Sequence, residues 1–274
     1  MATVHKVAQD GFGTGTNELY DRARPSYQPF VLSHIRSVVR GTAPLNILEI
    51  GAGTGIFTRA LLAHPEWKDS VAELRAVEPS EGMRAVFTKT VVDPRVSAVD
   101  GTFDSTGVED GWADVVIAAQ AYHWCPDYDK ASAEFARALK PNGVVVLVWN
   151  LEDREGAPWV AQLRDTYEKF ENGTPQFRLG LWRATFSTPG FTSNFESPPS
   201  ENRWKWNLTA TRDLVIDRAL SKSYVAILPP DEKEQVKKDI GVIVDRGDGL
   251  TWVDKDKGTF EYPYYTMVVA WKKK

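Results

Sequence analysis

The stretch Ile47-Leu48-Glu49-Ile50-Gly51-Ala52-Gly53-Thr54-Gly55-Ile56-Phe57-Thr58 constrains the fold more than any other part of the chain. An apolar run interrupted by one acid leads into three glycines at alternate positions, and a helix-like segment follows. The order reads as a buried strand, a tight turn and the first turn of a helix. Turns of this kind let bare backbone approach a small charged ligand, with the helix N-terminus facing anionic groups.

The surrounding pattern places this turn in an α/β protein. Short apolar runs recur at 46–50, 73–78, 95–99, 113–119 and 143–149. Several are continuous rather than alternating, as in parallel strands covered on both faces. Helical spacing lies between them: Ala131, Phe135, Ala138 and Leu139 fall on one face, before the breaker Lys140-Pro141-Asn142-Gly143. The expected fold is therefore α/β and Rossmann-like, with helices on both faces of a mostly parallel sheet. Beyond Asn150 the texture changes. Trp159, Leu163, Tyr167 and Phe170 mark one amphipathic helix. Val236, Ile240, Ile243 and Val244 mark another, opened by Pro229-Pro230-Asp231, and the chain closes on a strand-like run from Tyr262 to Trp271. We read a single domain: an N-terminal lid (1–40), a cofactor-binding core (41–150), a helical and aromatic cap (151–258) and a final strand (259–274).

Composition excludes several functions. A net charge of -4 argues against a nucleic-acid partner. The single cysteine, Cys125, permits no intramolecular disulfide, and no Cys/His spacing suggests a metal. Residues 1–20 lack the apolar run of a signal peptide and no segment approaches a membrane span, so a cytoplasmic monomer or homodimer is the expectation. Gly11-Phe12-Gly13-Thr14-Gly15-Thr16 is also glycine-rich, but no strand precedes it, and it reads as a mobile arm rather than a second nucleotide site.

The ligand of the turn follows from its chemistry. A nicotinamide fingerprint needs a third glycine where Ile56 stands, and a Walker loop needs a Lys-Ser/Thr pair that is absent. Glu49, two residues ahead of Gly51, suits a cation better than a pyrophosphate. S-adenosylmethionine meets these demands, with its sulfonium, ammonium, carboxylate and ribose. Glu78, ending the next strand-like run in Ala76-Val77-Glu78-Pro79-Ser80, is placed to accept ribose hydroxyls.

Together Glu49-x-Gly51-x-Gly53-x-Gly55, Glu78 and Leu139–Asn150 resemble class I S-adenosylmethionine-dependent methyltransferases. Ala118–Trp124 ("AAQAYHW"), Tyr20–Tyr27 ("YDRARPSY") and Ser221–Pro229 ("SKSYVAILP") are similar to the small-molecule branch that includes trans-aconitate and ubiquinone-type enzymes. The resemblance implies a seven-stranded sheet whose final strand is antiparallel. It also implies cofactor contacts from Glu49, Gly51, Ala52, Gly53 and Gly55, from Glu78 and Pro79, from Thr102 and Phe103 beside the adenine, and from Gln120 and Ala121. In the lid, Tyr20 would flank the sulfonium. Arg24 would hold a carboxylate or pin the lid. S-adenosylhomocysteine would be the product, and a small-molecule methyl acceptor the partner.

Methyl transfer from a sulfonium is an in-line displacement, which chiefly demands alignment and exclusion of water. His123 is the candidate base, with a loop-shaping histidine as the alternative. Tyr27, Trp124 and Trp149 are candidate acceptor contacts, although packing is the commoner role of tryptophan, and Cys125 reads as a bystander. Trp159, Trp182, Trp204, Trp206 and Trp252 would suit an aromatic acceptor or the core, and Arg183 an acidic acceptor or the surface. Two alternatives stay open: the same fold using the bound cofactor for other chemistry such as cyclisation, or a non-catalytic binding protein.

Overall fold

A computed structural model describes residues 17–274; the glycine-rich 11–16 lie outside them. The chain enters through α1 (Asn17–Ala23) and α2 (Pro29–Val38), the second opened by a proline where no N–H is needed. Alternation follows: β1 (Leu45–Ile50), α3 (Ile56–Ala63), α4 (Pro65–Lys68), β2 (Val71–Val77), α5 (Glu81–Thr90), β3 (Val96–Val99), β4 (Ala113–Ala119), α6 (Tyr128–Ala138) and β5 (Leu139–Glu152). The second half holds α7 (Pro158–Glu168), α8 (Pro189–Asn194), β6 (Ser200–Thr211), α9 (Arg212–Leu220), α10 (Ser223–Ala226), α11 (Pro230–Arg246), β7 (Trp252–Asp254) and β8 (Thr259–Lys272).

The strands form one sheet in the order β3-β2-β1-β4-β5-β8-β6, with β7 paired to β8. The strands from β3 to β5 are parallel, while β8 runs antiparallel between β5 and β6. Seven strands thus lie along the path, as expected, and the short β7 adds an eighth. Alternate residues of the central strands feed opposite cores. Ile47, Val115 and Ile117 pack with Val31 of α2, Phe57 and Leu61 of α3 and Trp67 of α4. Leu48, Val116 and Ala118 pack with Phe135 of α6 and Phe191 of α8. Burial on both faces explains why these runs are continuously apolar.

β8 is long enough to serve two layers. Val268 and Val269 lie in the two cores of the sheet. Phe260, Tyr262 and Tyr264, nearer its start, pack into a third core with Trp159 of α7, Val215 of α9 and Ile240 of α11. The segment 151–258, read as a cap, supplies these helices but also places β6 at the sheet edge. Along β6 the residues alternate between half-buried and exposed, as on an edge strand with one solvated face. α6 ends at Ala138, one residue short of the face assigned to it. Leu139 pairs with Ala113 as the first residue of β5, because Pro141 disfavours helical backbone at Lys140. Among the described residues no helix is long and apolar enough to cross a membrane.

Candidate active site

In the sheet the order reverses between β1 and β4, and the turn after β1 lies at that switch point, where open α/β sheets bind ligands. Gly51, Gly53 and Gly55 all adopt positive φ (69°, 58° and 85°), which side-chain-bearing residues rarely tolerate. Their surroundings differ. A Cβ on Gly51 would lie 2.4 Å from the Ala121 Cβ, and one on Gly55 would lie 2.6 Å from Val91 Cγ2. A Cβ on Gly53 would meet nothing within 4 Å, so bare backbone faces open space there.

That space is a cavity of about 400 Å³. It gathers most of the residues named from sequence: Tyr20, Arg24 and Tyr27 before the sheet; Glu49, Gly51, Ala52 and Gly53 from the turn; Glu78 and Pro79 after β2; Thr102 and Phe103 after β3; and Gln120, Ala121 and Trp124 after β4. Gly55, His123 and Trp149 do not line it. Gly55 is spent on packing against Phe87 of α5 and Val91 just after it, and Trp149 is fully buried in the core against Phe177 and Trp182. Thr54, Ser80 and Met83 line the cavity without having been singled out. Of the two acids after β3, Asp104 faces the cavity and accepts a bond from Thr102 Oγ1 at 2.7 Å, while Asp100 pairs with Arg84 at 2.9 Å.

The two glutamates are buried but unlike. Thr58 Oγ1 donates to Glu49 Oε2 at 2.6 Å, and Glu49 Oε1 has no partner. Burial raises the carboxyl to a pKa of about 8; the Thr58 bond opposes this and the Glu78 charge reinforces it. Glu78 spends one oxygen on the Gly53 N–H and the other on the Ser80 N–H, each at 2.9 Å, so it also holds the glycine turn in place. Burial raises its pKa too, offset by those backbone donors. Thr54 Oγ1 is a second buried polar atom without a partner. Phe103 forms one wall, held edge-on by the buried Tyr122 ring at 5.7 Å. Gln120, at the end of β4, adopts a φ of 56°, the kind of strained backbone that collects at functional sites.

A profile described as a methyltransferase domain matches residues 48–147. A methyltransferase-like protein of Schizosaccharomyces pombe is 30% identical over 225 residues, 82% of each chain. The chain belongs to the class I S-adenosylmethionine-dependent methyltransferases. A methyltransferase of Mycobacterium bovis is 31% identical across 77% of this chain and 76% of its own. The solved structure of a type II methyltransferase from Anaeromyxobacter dehalogenans has the same fold. It aligns with a TM-score of 0.61 at 21% identity, covering 90% of this chain and 97% of that one. Membership implies S-adenosylmethionine as cofactor, and the cavity suits it: an unpaired buried carboxylate oxygen for a cationic group, and bare backbone at Gly53.

The methyltransferase has a second, smaller cavity of about 90 Å³, which shares Tyr20, Arg24, Gln120 and Trp124 with the first. His123 faces this one. Trp149 Nε1 lies 3.2 Å from His123 Nδ1, and an indole N–H only donates, so Nδ1 accepts and a neutral ring carries its proton on Nε2. Burial and the Arg24 charge lower the His123 pKa to about 3. Both facts turn His123 away from the role of base. Arg24 is committed to the segment after α9, donating to Ser221 Oγ at 3.0 Å and Ser221 O at 2.8 Å, with its guanidinium 4.4 Å from the Tyr20 ring centre. Burial pushes the Cys125 thiol up to about 12. Trp159, Trp182, Trp204, Trp206 and Trp252 line neither cavity, and Arg183 pairs with Glu201 at the surface.

Proposed function

We propose that this methyltransferase moves a methyl group to an oxygen, nitrogen or sulfur of a small-molecule metabolite. The observation that carries the reading is the unpaired, buried Glu49 Oε1 beside the bare Gly53 backbone. Bound S-adenosylmethionine supplies an electrophilic methyl on a sulfonium. Glu49 neutralises the cationic end of the cofactor, where low dielectric makes the attraction strong. Glu78 accepts ribose hydroxyls with its remaining lone pairs and keeps Gly53 in place through the bond to its N–H. Phe103 and Asp104 border the base. Tyr20, Arg24 and Tyr27 cover the cavity and keep water from it. Gln120 and Trp124, shared by both cavities, border the path between methyl and acceptor. His123 acts as a hydrogen-bond donor through Nε2–H rather than as a base.

Calorimetric titration with S-adenosylmethionine tests the reading. Binding is expected, and absence of heat at near-millimolar ligand would remove it. Incubation with a metabolite extract should release S-adenosylhomocysteine. Binding without any release would favour use of the cofactor as a fixed charge.

A further inference from the structure

The smaller cavity is lined by more positive than negative charge. Arg24, Arg164, Arg178, Arg218 and Lys222 face it, against Glu152, Glu168 and Glu171. Two of the acids are matched by two of the cations: Arg164 pairs with Glu168, and Arg178 with Glu171. Glu152 is shared by Arg218 at 2.9 Å and Lys222 at 3.1 Å. Arg24 has only the neutral partners Ser221 and Tyr20. With every group ionised the cluster carries two positive charges in excess, and Arg218, Lys222 and Glu152 at its centre are buried. Arg218 is 3% exposed and its Nη1 has no hydrogen-bond partner. A buried guanidinium nitrogen left unpaired is costly, and uncompensated buried charge more so. Lys222, also buried, shows the same imbalance. Burial and the neighbouring Arg218 lower its pKa to about 7 even with Glu152 beside it.

Arg218 and Lys222 line the smaller cavity and not the cofactor cavity. We propose that Arg218 and Lys222 form an anchoring site for an anionic group, a carboxylate or a phosphate, carried by the methyl acceptor at a distance from the atom that is methylated. The anion completes the Arg218 fork and balances the cluster, and His123 Nε2–H supplies a further donor to the acceptor. The inference deepens the methyltransferase reading and rests on it.

The test uses full-length protein saturated with S-adenosylhomocysteine, titrated with benzoate, benzamide and inorganic phosphate and followed by calorimetry. Millimolar binding of benzoate or phosphate with none of benzamide is expected, and whichever anion binds identifies the anchor's chemistry. Lys222→Met should weaken the anion by at least about tenfold, the scale of one charge-assisted hydrogen bond, without lowering Tm. It removes one of two cations competing for Glu152, so the fold retains its Arg218–Glu152 pair. Arg212→Gln, at a surface pair with Asp245, should leave binding unchanged. Benzamide binding as well as benzoate, an anion indifferent to Lys222→Met, or no anion bound at tens of millimolar would each overturn the proposal and leave the cofactor reading standing. Failure of S-adenosylhomocysteine itself to bind would remove both.

Discussion

Glu49 makes cofactor binding a proton-linked event. With a pKa of about 8 in the free protein, about 0.9 of its carboxyl groups are protonated at pH 7. Placing a cation against Oε1 favours the carboxylate, so binding at pH 7 should expel about 0.9 of a proton from Glu49. The cofactor's α-amino group has an ordinary pKa of about 7.7–8.0 and binds as ammonium, so it takes up about 0.1 of a proton at pH 7 and about 0.9 at pH 9. The net is a release of about 0.8 at pH 7 and an uptake of similar size at pH 9, crossing zero near pH 8. Ionising Glu49 at pH 7 costs about 1.4 kcal/mol, so affinity should fall roughly tenfold for each unit of pH below 8 and peak near 8. Calorimetry in buffers of contrasting ionisation enthalpy reads the proton count directly as a slope. Glu49→Gln should abolish the release at pH 7 and weaken binding. The variant should also be the more stable apo protein at alkaline pH. A carboxyl whose folded pKa exceeds its unfolded value makes the folded state bind more protons, so stability drains away as pH rises from about 4.5 to about 8. A slope of zero at pH 7, or affinity flat from pH 6 to 8, would refute the reasoning.

Other outcomes follow from the same geometry. Glu78→Ala removes the acceptor of the Gly53 and Ser80 N–H groups, and cofactor affinity should fall by roughly ten- to a hundredfold; unchanged affinity would count against its contact with the ribose. Gly51→Ala drives a methyl to 2.4 Å from Ala121 and should lower Tm well beyond Gly53→Ala, whereas Gly53→Ala should chiefly weaken the cofactor, because its methyl points into the cavity; equal losses of Tm would contradict the assignment of open space at Gly53. Nitrogen NMR of His123 should report the Nε2–H tautomer without titration between pH 8 and 5, and a midpoint near 6.5 would exclude the bond from Trp149.

Much of this arrangement is legible in one sequence because it is local. Strand, turn and helix are contiguous from Ile47 to Thr58, and burial on both faces leaves consecutive apolar residues in β1, β4 and β5. Glu78 is found for the same reason: it ends β2 and needs only the neighbouring turn to acquire a meaning. β6 is harder. Its alternation Trp204, Trp206, Leu208, Ala210 is a strand's period, but its aromatic content resembles a packed cap, and nothing nearby reveals that β8 is its partner. The resemblance groups Gly55 with the ligand contacts; its positive φ does favour glycine, yet a Cβ there would press against Phe87 and Val91. The proposed role of His123 as a donor rather than a base rests on a non-local contact. The atom that fixes its tautomer is the indole nitrogen of Trp149, on the adjacent strand.

The smaller cavity lies beyond what sequence spacing can reach. Its cations come from just after α1, from α7 and α9 and from the segments after those two, dispersed from Arg24 to Lys222, and each alone reads as a surface cation. Only tertiary burial makes their sum matter, since exposed pairs contribute little while enclosed ones are strongly felt. The same packing sets two cavities of different side-chain chemistry side by side. Glu49 and Glu78 make the larger cavity favourable to a cation, and Arg24, Arg218 and Lys222 make the smaller one favourable to an anion. On the proposed reading, a sulfonium and an anionic acceptor are each drawn to their own side of a boundary formed by Tyr20, Arg24, Gln120 and Trp124. Orientation of the two reactants then follows as Glu49 ionises against the bound cation and the Arg218 cluster takes the anion. Exchanging the signs, with an anion in the glycine turn or a cation beside Arg218, would leave both partners facing like charge. The arrangement thus selects the pairing and the direction of approach together.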